Sequence, residues 1–128
     1  MDWNAVRKSL RGPAALISSI FNEDLSLKPE AIERNIRAMV GRGFGTGGGF
    51  FLAPCADGEY VTLNVDETAA VVGAVRRGSD GRLPIVAGVH SADIRQAIAV
   101  AQAARDEGAV AVMTVSYTHL TLPTNSRV

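Results

Sequence analysis

One cysteine, Cys55, stands among 128 residues. A lone cysteine excludes an internal disulfide and a cysteine-only metal cage, and it fits a reducing compartment. Net charge is also missing. Thirteen Lys and Arg balance thirteen Asp and Glu, so no long-range field draws the chain to nucleic acid or to an anionic membrane. No apolar run approaches the roughly 18 residues that a membrane span requires. The opening MDWNAVRKSL carries Asp2, Arg7 and Lys8 and has no apolar core, which is the wrong composition for a secretory signal. Lysine is scarce as well: Lys8 and Lys28 are the two, and neither follows an apolar strand where burial would lower its pKa. These absences predict a cytoplasmic globular chain with no metal, no cofactor, and no nucleic-acid or membrane partner.

What is present is core-forming material. Hydrophobic residues make up 47% of a chain of one-domain length. AALISSI (14–20) is a short apolar run between Gly12-Pro13 and the polar Asn22-Glu23-Asp24, and reads as a first strand. Pro29 then opens a helix in which Ile32, Ile36, Met39 and Val40 form one stripe, closed by Gly41 and Gly43. FFLA (50–53) is a second strand. Asn64 and Glu67 have the spacing of a capping box, ahead of a helical stripe at Val65, Ala69, Val72 and Val75 that ends near Gly78. LPIVAGV (83–89) is a third strand. Ser91 or Asp93 caps a third helix with Ile94, Ile98, Ala101 and Ala104 in register, and AVAVMTV (109–115) is a fourth strand. Strands that are apolar nearly throughout, alternating with helices, define an α/β chain with a parallel sheet covered on both faces or wrapped into a barrel.

After Val115 the pattern stops. SYTHLTLPTNSRV (116–128) is Thr-rich, has no helical stripe and supplies no closing element. It resembles translated adapter sequence, so the domain is expected to be 1–115, with 116–128 a non-native tail in which Tyr117 and His119 carry no function.

Several motifs invite chemical readings that their context weakens. GFGTGG (43–48) matches G-x-G-x-x-G. A dinucleotide fingerprint, however, follows a strand and opens a helix. This one follows a helix and precedes a strand, and five glycines in residues 43–49 read better as a connection. Cys55 reads as a small buried hydrophobe. His90 lies at the carboxyl end of the third strand, where βα loops build sites, although a plain loop histidine fits the sequence too. Asp57 and Glu59 could serve acid–base chemistry or simply solvate a turn.

In order and spacing, the strand AALISSIF with the turn NEDLSL, the helix ending GRG, the turn Gly58-Glu59 before YVTLNVDE, and then GRLPIVAGV and DEGAVAVMTV resemble the dihydrodipicolinate synthase / N-acetylneuraminate lyase superfamily over about residues 10–115. The resemblance implies the N-terminal half of a (β/α)8 TIM barrel, about four strands, from a class I lyase or aldolase. In that chemistry a lysine forms a Schiff base with pyruvate or a related 2-oxo acid. It also implies a homo-oligomeric parent enzyme. The family's turn after strand two usually reads Gly-Thr-Thr-Gly-Glu and holds the substrate carboxylate. Here that turn is Cys55-Ala56-Asp57-Gly58-Glu59, which makes Ala56, Asp57 and Gly58 the expected substrate-binding residues. Ala56 and Asp57 stand where the family has hydroxyls, and an ionised Asp57 would repel a carboxylate. The family's Schiff-base lysine and relay tyrosine belong near strands six and five, beyond this chain, so no catalytic residue is expected within it and the fragment itself is expected to be inactive.

A competing expectation is a small, complete, doubly wound α/β domain with a binding or regulatory role. Strand order separates the two. A barrel fragment keeps its strands in sequential spatial order, whereas a doubly wound sheet reverses at a switch point.

Overall fold

The computed structural model describes residues 2–114. The element order is α1 (Trp3–Ser9), β1 (Ala14–Leu16), α2 (Pro29–Gly41), β2 (Phe50–Leu52), α3 (Val65–Gly78), β3 (Ile85–Val89), α4 (Ile94–Asp106) and β4 (Ala111–Thr114). The four strands form one sheet in the order β1-β2-β3-β4, every neighbouring pair parallel. No reversal occurs, so the sheet is the open half of a barrel and the doubly wound alternative is excluded. No helix among the described residues is long and apolar enough to cross a membrane.

Side chains alternate across the sheet. Ala15, Ile17, Phe51, Ile85 and Ala87 face the helices and form the core with Ile32 and Ile36 of α2 and Val71, Val72 and Val75 of α3. The opposite face carries Leu16, Leu52, Val86, Gly88 and Met113. In a closed barrel that face is packed interior. Here Leu16 is 49% and Met113 37% exposed. Apolar residues on both faces, as the sequence led us to expect, therefore meet a helix layer on one side only.

Each helix starts at a residue whose chemistry favours a start, a proline for α2 and a side-chain cap for the others. Pro29 begins α2, where its missing N–H costs nothing. At α3 the capping box is complete: the Asn64 side chain accepts from the Glu67 N–H at 2.8 Å, and the Glu67 carboxylate accepts from the Asn64 N–H at 2.9 Å. Replacing Asn64 with alanine should therefore cost about 1 kcal/mol in urea unfolding, and Asn64→Asp should recover most of it. Of the two candidate caps for α4, it is Asp93 that accepts, from the Arg95 N–H at 2.9 Å. The Arg95 guanidinium also holds the Asp93 carboxyl below the usual carboxylate range. Across the α2–α3 seam, Glu33 pairs with Arg77 at 3.0 Å and Arg37 at 2.8 Å, bonds that lower its pKa likewise.

Three features differ from the sequence reading. Strand β1 is three residues long where seven were expected, with one further bond to β2, from Ile17 N–H to Leu52 O, just past its end. Helix α1 was not anticipated. It is capped by Asp2, which accepts from the Asn4 N–H, and none of its residues is buried. On α4 the buried positions are Val100 and Ala104, while Ile94 and Ile98 are 71% and 51% exposed. The cause is position: α3 is flanked by a helix on either side, whereas α4 is the last helix among the described residues, and its Ile98 and Ala101 line an open groove with Trp3 and Val112.

Candidate active site

The carboxyl ends of β1, β2 and β3 point the same way, and the loops leaving them form one surface. After β2 the chain passes through a cis Ala53–Pro54 peptide into a 3-10 turn at Ala56–Gly58, a left-handed Glu59 (φ 57°), and a second 3-10 turn at Tyr60–Thr62 before α3. Helix α3 then starts at the Asn64 cap, where the sequence placed it, after two tight turns that the sequence reading did not describe.

Backbone bonds tie this loop to both neighbouring strands. Ala53 N–H donates to Val86 O at 2.9 Å, and Gly88 N–H donates to Pro54 O at 2.9 Å, which extends the β2–β3 pairing past the strand end. Gly58 N–H and Tyr60 N–H both donate to Cys55 O. Toward β1, the Ser19 hydroxyl donates to Gly58 O at 2.5 Å and the Cys55 thiol lies 3.7 Å from Ile17 O. Cys55 is buried, so its position is that of the small core residue the sequence indicated.

The three residues named from the sequence lie together on this turn but in different settings. Ala56 and Asp57 are exposed at the mouth, whereas Gly58 is buried. A Cβ on Gly58 would collide with the Ile17 carbonyl, so this glycine permits the turn to sit directly on β1. His90, at the end of β3, joins them on the mouth, and its imidazole packs on the Tyr60 ring with centroids 5.2 Å apart and an interplanar angle of 57°. Sequence reading left Tyr60 as part of an apolar patch and His90 as a loop residue. The readable signal was Gly88: two residues before His90, it leaves the space that the Tyr60 ring fills. Ser19 gave no signal, since its role is set by a backbone carbonyl 39 positions away.

The lysines stand apart from this mouth chemistry. Lys8 lies in α1, ahead of β1, and Lys28 is the N-cap residue of α2. The glycine-rich stretch is a helix-to-strand connection in which Gly45 and Gly48 form an isolated bridge, with no helix following, so it has no dinucleotide geometry. Tyr117 and His119 lie outside the described residues.

A run of parallel strands in sequential order, with helices on one face and a loop-built mouth at the strands' carboxyl ends, defines the class: the N-terminal half of a (β/α)8 barrel. The sequence matches the dihydrodipicolinate synthetase family over residues 9–121, and the chain belongs to that family. It is 29% identical over 110 residues to the 4-hydroxy-tetrahydrodipicolinate synthase of Chlorobium phaeovibrioides, covering 85% of this chain and 36% of that protein. It is 33% identical over 107 residues to the synthase of the same name from Saccharophagus degradans, covering 84% and 35%. Among solved structures it resembles YagE, a prophage protein of the dihydrodipicolinic acid synthase family from E. coli in complex with pyruvate. There the TM-score is 0.69 at 22% identity, over 85% of this chain and 38% of that one. The chain thus spans about a third of the length of the relatives it matches.

Proposed function

We propose that the chain is the N-terminal half of a Schiff-base-forming lyase or aldolase acting on pyruvate or a related 2-oxo acid, with the turn Ala56–Asp57–Gly58 lining the substrate site. The observation that carries this reading is the placement of that turn. It closes the carboxyl end of β2 in a sequentially ordered parallel sheet, where barrel enzymes build their sites. The family membership and the synthase names of the relatives support the reaction class.

In such a reaction an amine condenses with the ketone of the 2-oxo acid and expels water. The resulting iminium takes up the electron pair released when the neighbouring bond breaks, and the enamine so formed donates that pair when the bond is made. The amine must be a neutral lysine close to the bound ketone. Lys8 and Lys28 do not meet that requirement, because neither sits at a strand end inside the mouth. The 128-residue chain is therefore inactive on this reading, and the lysine belongs to the part of the parent barrel that follows. The domain proper is residues 1–115, and residues 116–128 replace the sequence that continues it.

Borohydride trapping tests both statements. Source DNA read onward from the codon for Val115 should give a longer chain that, incubated with pyruvate and borohydride, gains one reduced adduct on a lysine outside residues 1–128. The 128-residue chain treated alike should show no adduct by mass spectrometry. An adduct on Lys8 or Lys28, or none on the longer chain, would overturn the assignment.

A further inference from the structure

We propose that Ser19 is a positioning residue of the substrate turn: its hydroxyl holds the Gly58–Glu59 peptide in the orientation that seats Ala56 and Asp57 at the mouth. This rests on the 2-oxo acid reading above and adds to it a residue from the neighbouring strand end, one that does not itself touch the substrate.

Three successive residues beyond β1 meet the turn. Ile17 O accepts from the Cys55 thiol at 3.7 Å and lies where a Cβ on Gly58 would sit. Ser18 comes next, its Cα 3.4 Å from that same position. Both contacts use backbone atoms that any residue would supply at 17 and 18. Ser19 differs, because its side chain makes the contact: the hydroxyl donates to Gly58 O at 2.5 Å. Among the described residues no backbone N–H donates to that carbonyl. The bond is partly buried, so water competes for it less than for a bond on an open loop.

What the bond restrains follows from the backbone beside it. Gly58 O belongs to the peptide that joins Gly58 to Glu59, and Glu59 stands in the left-handed region at φ 57° without being a glycine. Such a conformation persists only where its surroundings hold it. Rotating this peptide between its two Cα atoms would carry Glu59 to negative φ, and Gly58, with no Cβ, would not resist. The same rotation swings Gly58 O away from β1. A donor fixed at the end of β1 therefore opposes the rotation directly. Rearrangement would not stop at Gly58. The Gly58 and Tyr60 N–H groups both donate to Cys55 O, so residues 55–60 form one closed unit, and Ala56 and Asp57, exposed at its rim, move with it.

The test uses the 128-residue chain and sodium pyruvate, followed by proton–nitrogen NMR, with sodium chloride at equal concentration as the reference. Saturable shifts are expected at the Ala56 and Asp57 amides. Ser19→Ala should raise the half-saturating pyruvate concentration about fivefold, since loss of one hydrogen bond lowers the population of the binding-competent turn by that order. Ser19→Thr, which keeps the hydroxyl, should stay within about twofold. Ser79→Ala is the matched control. It too removes a hydroxyl bonded to backbone carbonyls, Val75 O at 2.9 Å and Arg76 O at 3.2 Å, but at the far end of α3, and it should leave half-saturation unchanged. A second reading needs no ligand: the Glu59 backbone shifts and amide coupling should report left-handed φ in the wild type and lose that signature in Ser19→Ala. If Ser19→Ala binds pyruvate no worse than Ser79→Ala, or keeps the Glu59 signature, the positioning role fails while the 2-oxo acid reading stands. If the wild-type turn responds to pyruvate no more than to chloride, both fail.

Discussion

Phe51→Ala is expected to lower the free energy of unfolding by about 3–5 kcal/mol. Phe51 is the middle residue of β2 and is fully buried. Its backbone pairs with Ala15 on one side and Ile85 on the other, so its ring sits over the centre of the described sheet. Phe44 packs on it with ring centroids 5.3 Å apart, which anchors the glycine-rich connection to the core. Truncation would open a cavity in the core that Phe51 shares with α2 and α3, at a point where neither neighbouring strand can close in without breaking its ladder. A domain of this size has roughly 5–15 kcal/mol in total, and a half-barrel with an uncovered face belongs at the low end. The urea midpoint should therefore fall sharply, while Leu25→Ala, at a residue 79% exposed, should stay within about 0.5 kcal/mol. A loss below about 1 kcal/mol at Phe51 would contradict the packing described.

Gly58→Ala should produce the second largest effect, and by the opposite mechanism. The added methyl meets the Ile17 carbonyl and also approaches the Ser18 Cα at 3.4 Å, so backbone and not a mobile side chain would have to yield. Overpacking of this kind costs about 1–3 kcal/mol, occasionally more. The site should suffer beyond the stability loss. Moving the turn off β1 breaks the Ser19 hydroxyl bond to Gly58 O and shifts Ala56 and Asp57 relative to His90. Amide shifts in residues 17–19 and 55–60 should be large compared with those in α4, and any pyruvate response should vanish. Ser19→Ala separates the two contributions: it removes the hydroxyl bond without adding bulk and should cost about 1 kcal/mol. If Gly58→Ala leaves the shifts of residues 17–19 in place, the turn does not depend on that close approach.

Much of this architecture was readable from local pattern. The strand–helix alternation, the capping box at Asn64 and Glu67, the Pro29 start of α2 and the sequential barrel order all depend on residues close together in the chain. The parts that were not readable depend on neighbours. Ile94 and Ile98 have the spacing of a core stripe, yet they are exposed because no described helix covers the far side of α4. Leu16 and Met113 are apolar as barrel-interior residues should be, yet the facing half of the barrel is not in this chain. The turn Ala56–Asp57–Gly58 was located from a resemblance, but the burial of Gly58 against β1 and the seat of His90 on Tyr60 arise from contacts 30 to 41 positions apart. Sequence periodicity carries no record of which carbonyl a hydroxyl will find.

The sequential order of the sheet has a consequence for how such a chain is made. Each strand from β2 onward pairs with the one before it, and α3 and α4 each pack on the helix before them. No strand needs a partner from later in synthesis to find its place. As the chain emerges from the ribosome, β2 can dock on β1 as soon as α2 has formed, then β3 on β2, then β4 on β3. The growing sheet always has β1 at one edge and its newest strand, waiting for the next unit, at the other. The cost is that the chain at this length presents a β4 edge with no partner among the described residues, beside the exposed apolar residues Ile94, Ile98 and Val112. The same additive topology that makes the barrel easy to build makes each partial product sticky.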